Sequence, residues 1–253
     1  MAGSGAPFRL FGPAHLAALA VTATAAVGLA RRVGRRPDSM RIRFGLALFL
    51  VAAVAAWLLH EAARRPLSAW DVLPLHLCDF LILVAVYALL TLQRLACELL
   101  YFWSAGTLLA MVTPDLASGF PHPAFLVYFA LHGAVVVAAA VIVLGLGQGP
   151  RPGAAWRAFG ATVAYAAGVG VVDHALGANF LYLCRKPYEP TLLDAFGPWP
   201  VYLVTVALFA LGLFHLMAWP FRRGARIMAR PASASEAPTP FPASRGEPGR
   251  DGR

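Results

Sequence analysis

Three polar, reactive side chains lie together at the start of a long apolar run, since His76, Cys78 and Asp79 directly precede residues 81–92. A cysteine thiol can attack an ester carbonyl when a neighbouring base accepts its proton. A histidine and a carboxylate three residues apart share one helix face, where they could orient a base, bind a metal or neutralise each other. The stretch therefore indicates nucleophilic chemistry, or else a free cysteine that packs as a small apolar residue.

Further polar residues occur inside other apolar segments. His132 is isolated within the apolar run 125–143, and Asp173, His174 and Asn179 lie near the end of the run 154–183. Ionisable residues within a membrane segment are functional candidates by default. We expect His132 to be a catalytic base or a ligand, with a hydrogen bond to a neighbouring helix as the alternative. The other three are candidates for orienting it or for donating to an oxyanion.

A phenol and two cations follow that segment, at Tyr182, Arg185 and Lys186. Basic residues at a membrane interface can bind a lipid phosphate, so these three are candidates for a substrate headgroup. The alternative is helix capping and interfacial anchoring. Cys97 and Cys184 are expected to be structural, because the cysteines have neither metal-type spacing nor a disulfide framework.

The composition predicts an all-α, polytopic protein of the cell membrane, surrounded by membrane lipids. Hydrophobic residues make up 59% and charged residues 13% of the chain, and the mean hydropathy is +0.66. Soluble domains carry about 25% charged residues. The net charge of +9 does not indicate nucleic-acid binding, because the arginines fall in the loops between apolar segments.

The apolar segments predict about seven transmembrane helices, with six as the alternative. Each is close to the length of roughly 20 residues that spans a bilayer. The third segment has Pro74 in what we expect to be its first helical turn. The sixth is too long for one straight span, so it should tilt, break near Gly177 or include an interfacial end. The segments are residues 11–30, 44–59, 72–92, 95–112, 124–146, 154–183 and 200–221.

The distribution of basic residues predicts an outside N-terminus and a cytoplasmic C-terminus. Short loops rich in Arg and Lys remain in the cytoplasm. One set of alternate loops carries most of the charge, and the opposite set has Arg9, Arg64, Arg65, Arg185 and Lys186. The richer set comprises Arg31, Arg32, Arg35, Arg36, Arg41, Arg43, Arg94, Arg151, Arg157, Arg222, Arg223, Arg226 and Arg230.

Two regions follow from the same pattern. Residues 1–222 form the predicted helix bundle, and residues 223–253 form a predicted disordered cytoplasmic tail, rich in Pro, Ser, Ala and Gly. With this topology most of the histidines fall in the outer half of the bundle, together with Cys78 and Asp79. These are His15, His60, His76, His122, His132 and His174, whereas His215 lies inward.

Short motifs in conserved order resemble the YwaF family of bacterial integral membrane proteins, which is similar to a eukaryotic family of transmembrane phospholipid acyltransferases. One departure is Asn179-Phe180, where that family usually has Asn-Tyr. The matching pieces are Phe11-Gly12-Pro13-Ala14-His15, residues 73–79, Phe102-Trp103-Ser104-Ala105-Gly106, Pro114-Asp115-Leu116, Leu131-His132-Gly133, residues 179–183 with Lys186-Pro187, and Gly197-Pro198-Trp199-Pro200.

The resemblance implies that an intramembrane cysteine, here Cys78, carries an acyl group and that a later histidine, here His132, is its partner. Three hypotheses follow. The first is a lipid acyltransferase or lipid ester hydrolase without a cofactor, in which Asn179 or His76 donates to the oxyanion. The second is a zinc-dependent hydrolase with ligands from His76, Asp79, His132 and His174. The third is a transporter or ligand-binding protein without enzymatic activity. The oligomeric state is not predicted.

Overall fold

The structure, a computed structural model, describes residues 6–35, 39–186 and 192–228. Within these residues the only β pairing is one isolated bridge, between Pro7 and Ser118. A π-helical turn, Val141–Gly145, continues α6, and 3-10 turns at Phe180–Tyr182 and Leu192–Phe196 separate α7 from α8. The helices are α1 Pro13–Gly34, α2 Met40–Ala62, α3 Ala69–Val72, α4 Leu77–Thr91, α5 Arg94–Val112, α6 Pro123–Ala140, α7 Ala154–Leu176 and α8 Val201–Met228.

The predicted all-α membrane bundle is confirmed. Six described helices (α1, α2, α5, α6 with its π turn, α7 and α8) are long and apolar enough to cross a membrane. Helix α4 is apolar but has 15 residues, which is about 22 Å of helix against a hydrocarbon core of about 30 Å. Of the predicted tail, residues 223–228 continue α8, and residues 229–253 lie outside the described residues.

One end of the bundle contains the start of α1, the start of α4, the end of α5 and the turn after α7. His15 joins α1 to α5, because its Nε2 donates a hydrogen bond to the Met111 carbonyl of α5 over 2.8 Å. The His76 ring meets the Phe180 ring with centroids 5.2 Å apart. We call this the histidine end of the bundle.

The opposite end is held by ionic contacts. Arg43, in the first turn of α2, donates to the Leu89 carbonyl near the end of α4 over 2.7 Å. Glu98, buried near the start of α5, pairs with Arg151 and Arg157, each at 2.8 Å. A buried carboxylate needs such partners. The helices therefore alternate in direction as the seven segments predict, whereas the outward orientation of the N-terminus stays a prediction.

Helix α4 begins later than its sequence predicts. The expected start at residue 72, with Pro74 in the first turn, is wrong because α4 begins at Leu77, after an extended His76. The Leu75 carbonyl accepts a hydrogen bond from the Tyr165 hydroxyl of α7 at 3.0 Å. In a continuing helix it would instead accept from the N–H of Asp79. The chain thus enters the bundle as a non-helical segment tied to α7.

The loop between α2 and α4 is braced by one ion pair. Both guanidinium nitrogens at the end of the Arg65 side chain donate to the Asp71 carboxylate, at 2.8 and 2.7 Å. These bonds, with further donors from Ser68, hold the pKa of the Asp71 carboxyl below its ordinary value. The pair is solvent-exposed, so its contribution to stability is small, but it fixes the path by which the chain reaches α4.

Helix α7 ends where the sixth apolar segment is predicted to break. Its last residue is Leu176, and Gly177 follows with φ 64°, the left-handed conformation that commonly ends helices. The predicted break near Gly177 is confirmed. The chain then makes a tight turn held by the Asn179 side chain, which accepts from the N–H groups of Cys184 and Arg185.

Helix α6 lies at the centre of the bundle and packs against α1, α2, α4 and α5. It packs tightly against α1 at Gly133, where a β-carbon would lie 2.7 Å from the Oγ1 of Thr22. That oxygen has little freedom to move away, because Thr22 is β-branched and donates to the Ala18 carbonyl at 3.0 Å. A small residue at this crossing lets the two backbones approach.

We predict that Gly133→Ala destabilises the bundle by about 1–3 kcal/mol, the cost of overpacking a tight contact. The measurement is the midpoint of thermal unfolding in detergent. Thr22→Ala in the same chain should restore much of the loss by removing the oxygen. Gly106→Ala is the matched control, because a β-carbon there meets no atom within 4 Å. Equal midpoints for the Gly133 and Gly106 variants would contradict the tight crossing.

Candidate functional site

A cavity of about 240 Å³ opens between α2, α4, α5 and α6, at the histidine end of the bundle. Most of its wall is aliphatic, contributed by α4, α6 and the loop that carries Leu116. Its polar and aromatic lining residues are Trp57, Cys78, Asp79, Thr107, Tyr128 and His132. The cavity thus brings together three of the side chains that the sequence predicts for the site.

Cys78 lies in the first turn of α4, as the second helical residue, and is half-buried in the cavity wall. The first N–H groups of a helix have no partner within the helix, and they form its positive end. The thiol therefore stands beside a backbone region that favours negative charge.

His132 is oriented by its own helix. Its Nδ1 lies 2.9 Å from the Tyr128 carbonyl oxygen. A carbonyl can only accept, so Nδ1 carries the proton and donates it to this bond. In the neutral ring Nε2 is then a free acceptor. The ring also stacks on Tyr128, with centroids 4.1 Å apart, and the Tyr128 hydroxyl is anchored on the Ala110 carbonyl at 2.7 Å.

Asp79 is the acidic residue of the site. It lines the cavity beside Cys78 and lies within electrostatic range of both His76 and His132. The Nδ1 proton of His132 is already bonded to a backbone carbonyl, so the carboxylate does not set the tautomer. What it can do is stabilise a positive charge on the imidazole after that ring accepts a proton.

In the described part of the chain no hydrogen bond joins the Cys78 thiol to the His132 ring. The two side chains instead face the same cavity from α4 and α6. Hydrogen bonds between catalytic groups are often long before substrate binds and shorten only in the complex. The arrangement can hold an electrophilic carbon between a sulfur nucleophile and a nitrogen base.

The remaining predicted supporting residues lie outside this cavity. Asn179 uses its amide within its own turn, where its Nδ2 also donates to the Arg185 carbonyl at 2.9 Å. Asp173 is buried and accepts from the N–H of Phe180 at 2.8 Å. His174 is exposed on α7, and His76 packs its ring on Phe180 and Tyr182. Their predicted roles beside Cys78 stay predictions, and the cavity does not bring them together with it.

The predicted headgroup residues form a separate cluster after α7. Lys186 pairs with Asp194 at 3.2 Å and lies over the ring of Tyr202. Tyr202 donates from its hydroxyl to the carbonyl of Tyr182. The backbone N–H of Arg185 donates a hydrogen bond to the Asn179 side chain. These contacts join the turn after α7 to the start of α8.

Two other histidines at this end have local structural partners. His122 precedes α6, and its Nδ1 accepts from the N–H of Ala124 at 3.2 Å. The Nε2 of His60 accepts from Arg64 at 3.2 Å. Neither lines the cavity.

No group of three or more His, Cys, Asp or Glu side chains among the described residues has the arrangement needed to hold a metal ion. The four side chains considered as zinc ligands are divided. Asp79 and His132 line the cavity, while His76 packs on aromatic rings beyond it and His174 is exposed on α7.

Three of the polar and aromatic lining residues were not predicted from the sequence: Trp57, Thr107 and Tyr128. Tryptophan and tyrosine are common in apolar helices, so Trp57 and Tyr128 give no distinct signal in the sequence. Thr107 is a polar residue within an apolar run, directly after residues 102–106, and the rule that selected His132 applies more weakly to a hydroxyl. The absence of a hydrogen-bond partner is what distinguishes it, and this is visible only in the structure.

The chain belongs to the TMEM164 family, whose family model matches residues 10–218. The match extends from the start of α1 into α8 and includes every residue that lines the cavity. No curated protein and no solved structure matches the chain. The match confirms that the chain belongs to a transmembrane protein family. The resemblance to the YwaF family and its similarity to acyltransferases stay predictions.

We predict that the three cysteines differ in their reaction with N-ethylmaleimide when each is the single cysteine in the chain. Cys184 is exposed, Cys78 is half-buried in the cavity, and Cys97 is buried with 1% of its surface exposed. Cys184 should be modified fastest and Cys97 slowest, as measured by mass spectrometry over time. Modification of Cys97 at the rate of Cys78 would show that the cavity gives the thiol no special access.

Proposed function

We propose that this member of the TMEM164 family acts on lipid esters, transferring or hydrolysing an acyl group by means of Cys78 and His132. The observation that carries the proposal is that a thiol, an imidazole with a free Nε2 and a carboxylate line one largely aliphatic cavity. A nucleophile, a base held in a defined tautomer and a nearby carboxylate are the groups that acyl transfer through a covalent intermediate requires.

The surroundings of the cavity favour a lipid as the substrate. Complete pockets for small ligands have volumes of roughly 300–1,000 Å³. A cavity of about 240 Å³ holds an ester group with the adjoining carbons, but not a whole phospholipid. The rest of the molecule would extend between the helices into the bilayer. An ester that is already dissolved in the membrane reaches such a site without passing through water.

In the first half-reaction the Cys78 sulfur forms a bond to the ester carbonyl carbon, and its proton moves to Nε2 of His132. Transfer of the proton during attack avoids a free thiolate in an apolar cavity. The bond between the carbonyl carbon and the alcohol oxygen then breaks. His132 returns the proton to that oxygen, and an acyl thioester remains on Cys78.

In the second half-reaction an acceptor hydroxyl attacks the thioester carbonyl and gives its proton to His132. The carbon–sulfur bond breaks, and the thiol of Cys78 recovers the proton. A lysolipid as acceptor makes the protein a transferase, and water makes it a hydrolase. The same two side chains serve both reactions, so the acceptor that reaches the cavity decides the outcome.

Replacement of the nucleophile tests the proposal directly. We predict that Cys78→Ala abolishes covalent acylation by p-nitrophenyl dodecanoate in detergent micelles, which intact-protein mass spectrometry detects as an added dodecanoyl group. Cys97→Ala is the matched control, because Cys97 is buried near the other end of the bundle, in the first turn of α5. A dodecanoyl group that still appears on the Cys78→Ala protein at the wild-type rate would refute the assignment.

Replacement of the base should slow the reaction without changing its site. We predict that His132→Gln lowers the rate of Cys78 acylation by about 10²–10⁴-fold, the usual contribution of a positioned base. His215→Gln is the control, since the Nδ1 of His215 bonds to the Leu211 carbonyl in the same way at 2.9 Å, but His215 faces Trp156 and not the cavity. Equal rates in both variants would remove His132 from the mechanism.

A further inference from the structure

Thr107 is a buried polar residue of α5 that lines the same cavity as Cys78 and His132. Only 2% of its surface is exposed, and its Oγ1 has no hydrogen-bond partner. Leaving a buried donor unpaired costs free energy. Such a group in a cavity is a candidate for binding a ligand that supplies the missing partner.

Threonines within helices normally avoid this cost by donating to the carbonyl four residues earlier. Thr22, Thr91 and Thr162 do so over 3.0, 2.7 and 2.8 Å. Thr107 does not donate to the corresponding carbonyl of Trp103. Its hydroxyl is therefore not held by a hydrogen bond to its own helix.

A second set of free donors lies at the start of α4, where Cys78 and Asp79 line the same cavity. No hydrogen bond in the described part of the chain uses the N–H groups of Leu77, Cys78 and Asp79. The His76 side chain does not cap the helix, and the Leu75 carbonyl accepts from Tyr165. Helix α4 has 15 residues, so these groups form a positive end of full strength.

We propose that the Thr107 hydroxyl and the free N–H groups at the start of α4 together bind the carbonyl oxygen of the ester that Cys78 attacks. This inference rests on the proposed function and assigns it an oxyanion site. As the sulfur–carbon bond forms, the electron pair of the carbonyl double bond moves onto the oxygen. The hydroxyl and amide protons stay on their own atoms and stabilise the charge through hydrogen bonds.

The donors expected from the sequence fit this task less well. The Asn179 side chain makes three hydrogen bonds to the turn after α7. His76 packs on Phe180 and Tyr182, outside the cavity lining. Thr107 and Cys78 instead line one cavity from α5 and α4, and the donor groups of both are unoccupied. The site selects an acyl carbonyl because hydroxyl and amide groups at that place all donate.

The test compares two probes of equal chain length that both modify Cys78. With p-nitrophenyl dodecanoate the reaction passes through an oxyanion. With dodecyl methanethiosulfonate the thiol attacks a sulfur atom, forms a mixed disulfide and releases methanesulfinate, so no carbonyl takes part. Both rates are measured by intact-protein mass spectrometry on the full chain in detergent micelles.

We expect Thr107→Val to slow acylation by about 10²–10³-fold, the usual loss for one oxyanion donor, and to leave disulfide formation within twofold of wild type. Thr107→Ser keeps the hydroxyl and should retain acylation within about tenfold. Thr22→Val is the matched control, because its hydroxyl donates within α1 and it lies outside this cavity. It should leave both rates unchanged.

The thermal midpoint supplies an independent readout. Valine has the shape of threonine without the unpaired hydroxyl, so Thr107→Val should unfold at the wild-type temperature or above it. Thr22→Val, which loses a satisfied bond, should not gain stability. A Thr107→Val protein that unfolds well below wild type, or that loses both reaction rates equally, would overturn the oxyanion assignment in favour of a structural role.

The outcomes separate this inference from the function on which it rests. If Thr107→Val acylates Cys78 at the wild-type rate, the oxyanion assignment is wrong and the proposed acyl chemistry stands. If wild-type Cys78 forms the mixed disulfide but is never acylated by the ester, the proposed function itself is wrong. Slowed acylation with unchanged disulfide formation supports both.

Discussion

The arrangement of the bundle depends on one constraint, which is that backbone N–H and C=O groups inside a membrane must find partners within the protein. Long helices meet this constraint along almost the whole chain. The exception in the described spans is the entry to α4, where the Leu75 carbonyl takes its hydrogen bond from Tyr165 on α7. Because the chain enters α4 in this non-helical way, the first N–H groups of α4, beside Cys78, have no hydrogen-bond partner among the described residues. The position of the Cys78 thiol and the unsatisfied backbone thus have a common structural origin.

Helix α6 gives the site its fixed wall. Gly133 allows α6 to pack closely against α1, while His132, the residue before it, faces the cavity on the other side. The imidazole is held by a hydrogen bond and a stacked ring within its own helix, and the hydroxyl of the stacked Tyr128 is anchored on α5. Movement of α4 against α6 would change the distance between the thiol and the base while preserving the base itself.

The sequence predicts the spans because apolar length is a strong signal, and the break at Gly177 because left-handed geometry favours glycine. It places Cys78, Asp79 and His132 correctly at one end of the bundle. The start of α4 is predicted wrongly, since the partner of the Leu75 carbonyl lies 90 residues away at Tyr165. Asn179 looks available in the sequence, but its amide is occupied by its own turn. Such long-range and local competitors for a hydrogen bond leave no pattern in composition or spacing.

The hydrogen bonds of each polar side chain separate structural from reactive candidates in this membrane interior. Both ring nitrogens of His15 are occupied, one by the Phe11 N–H and the other by the Met111 carbonyl. His132 uses one nitrogen and keeps the other for the cavity. The Thr22 hydroxyl donates a hydrogen bond within α1, whereas the Thr107 hydroxyl has no hydrogen-bond partner in the described part of the chain. An unpaired buried group costs free energy, and in the proposed function the carbonyl oxygen of the substrate would supply the missing partner.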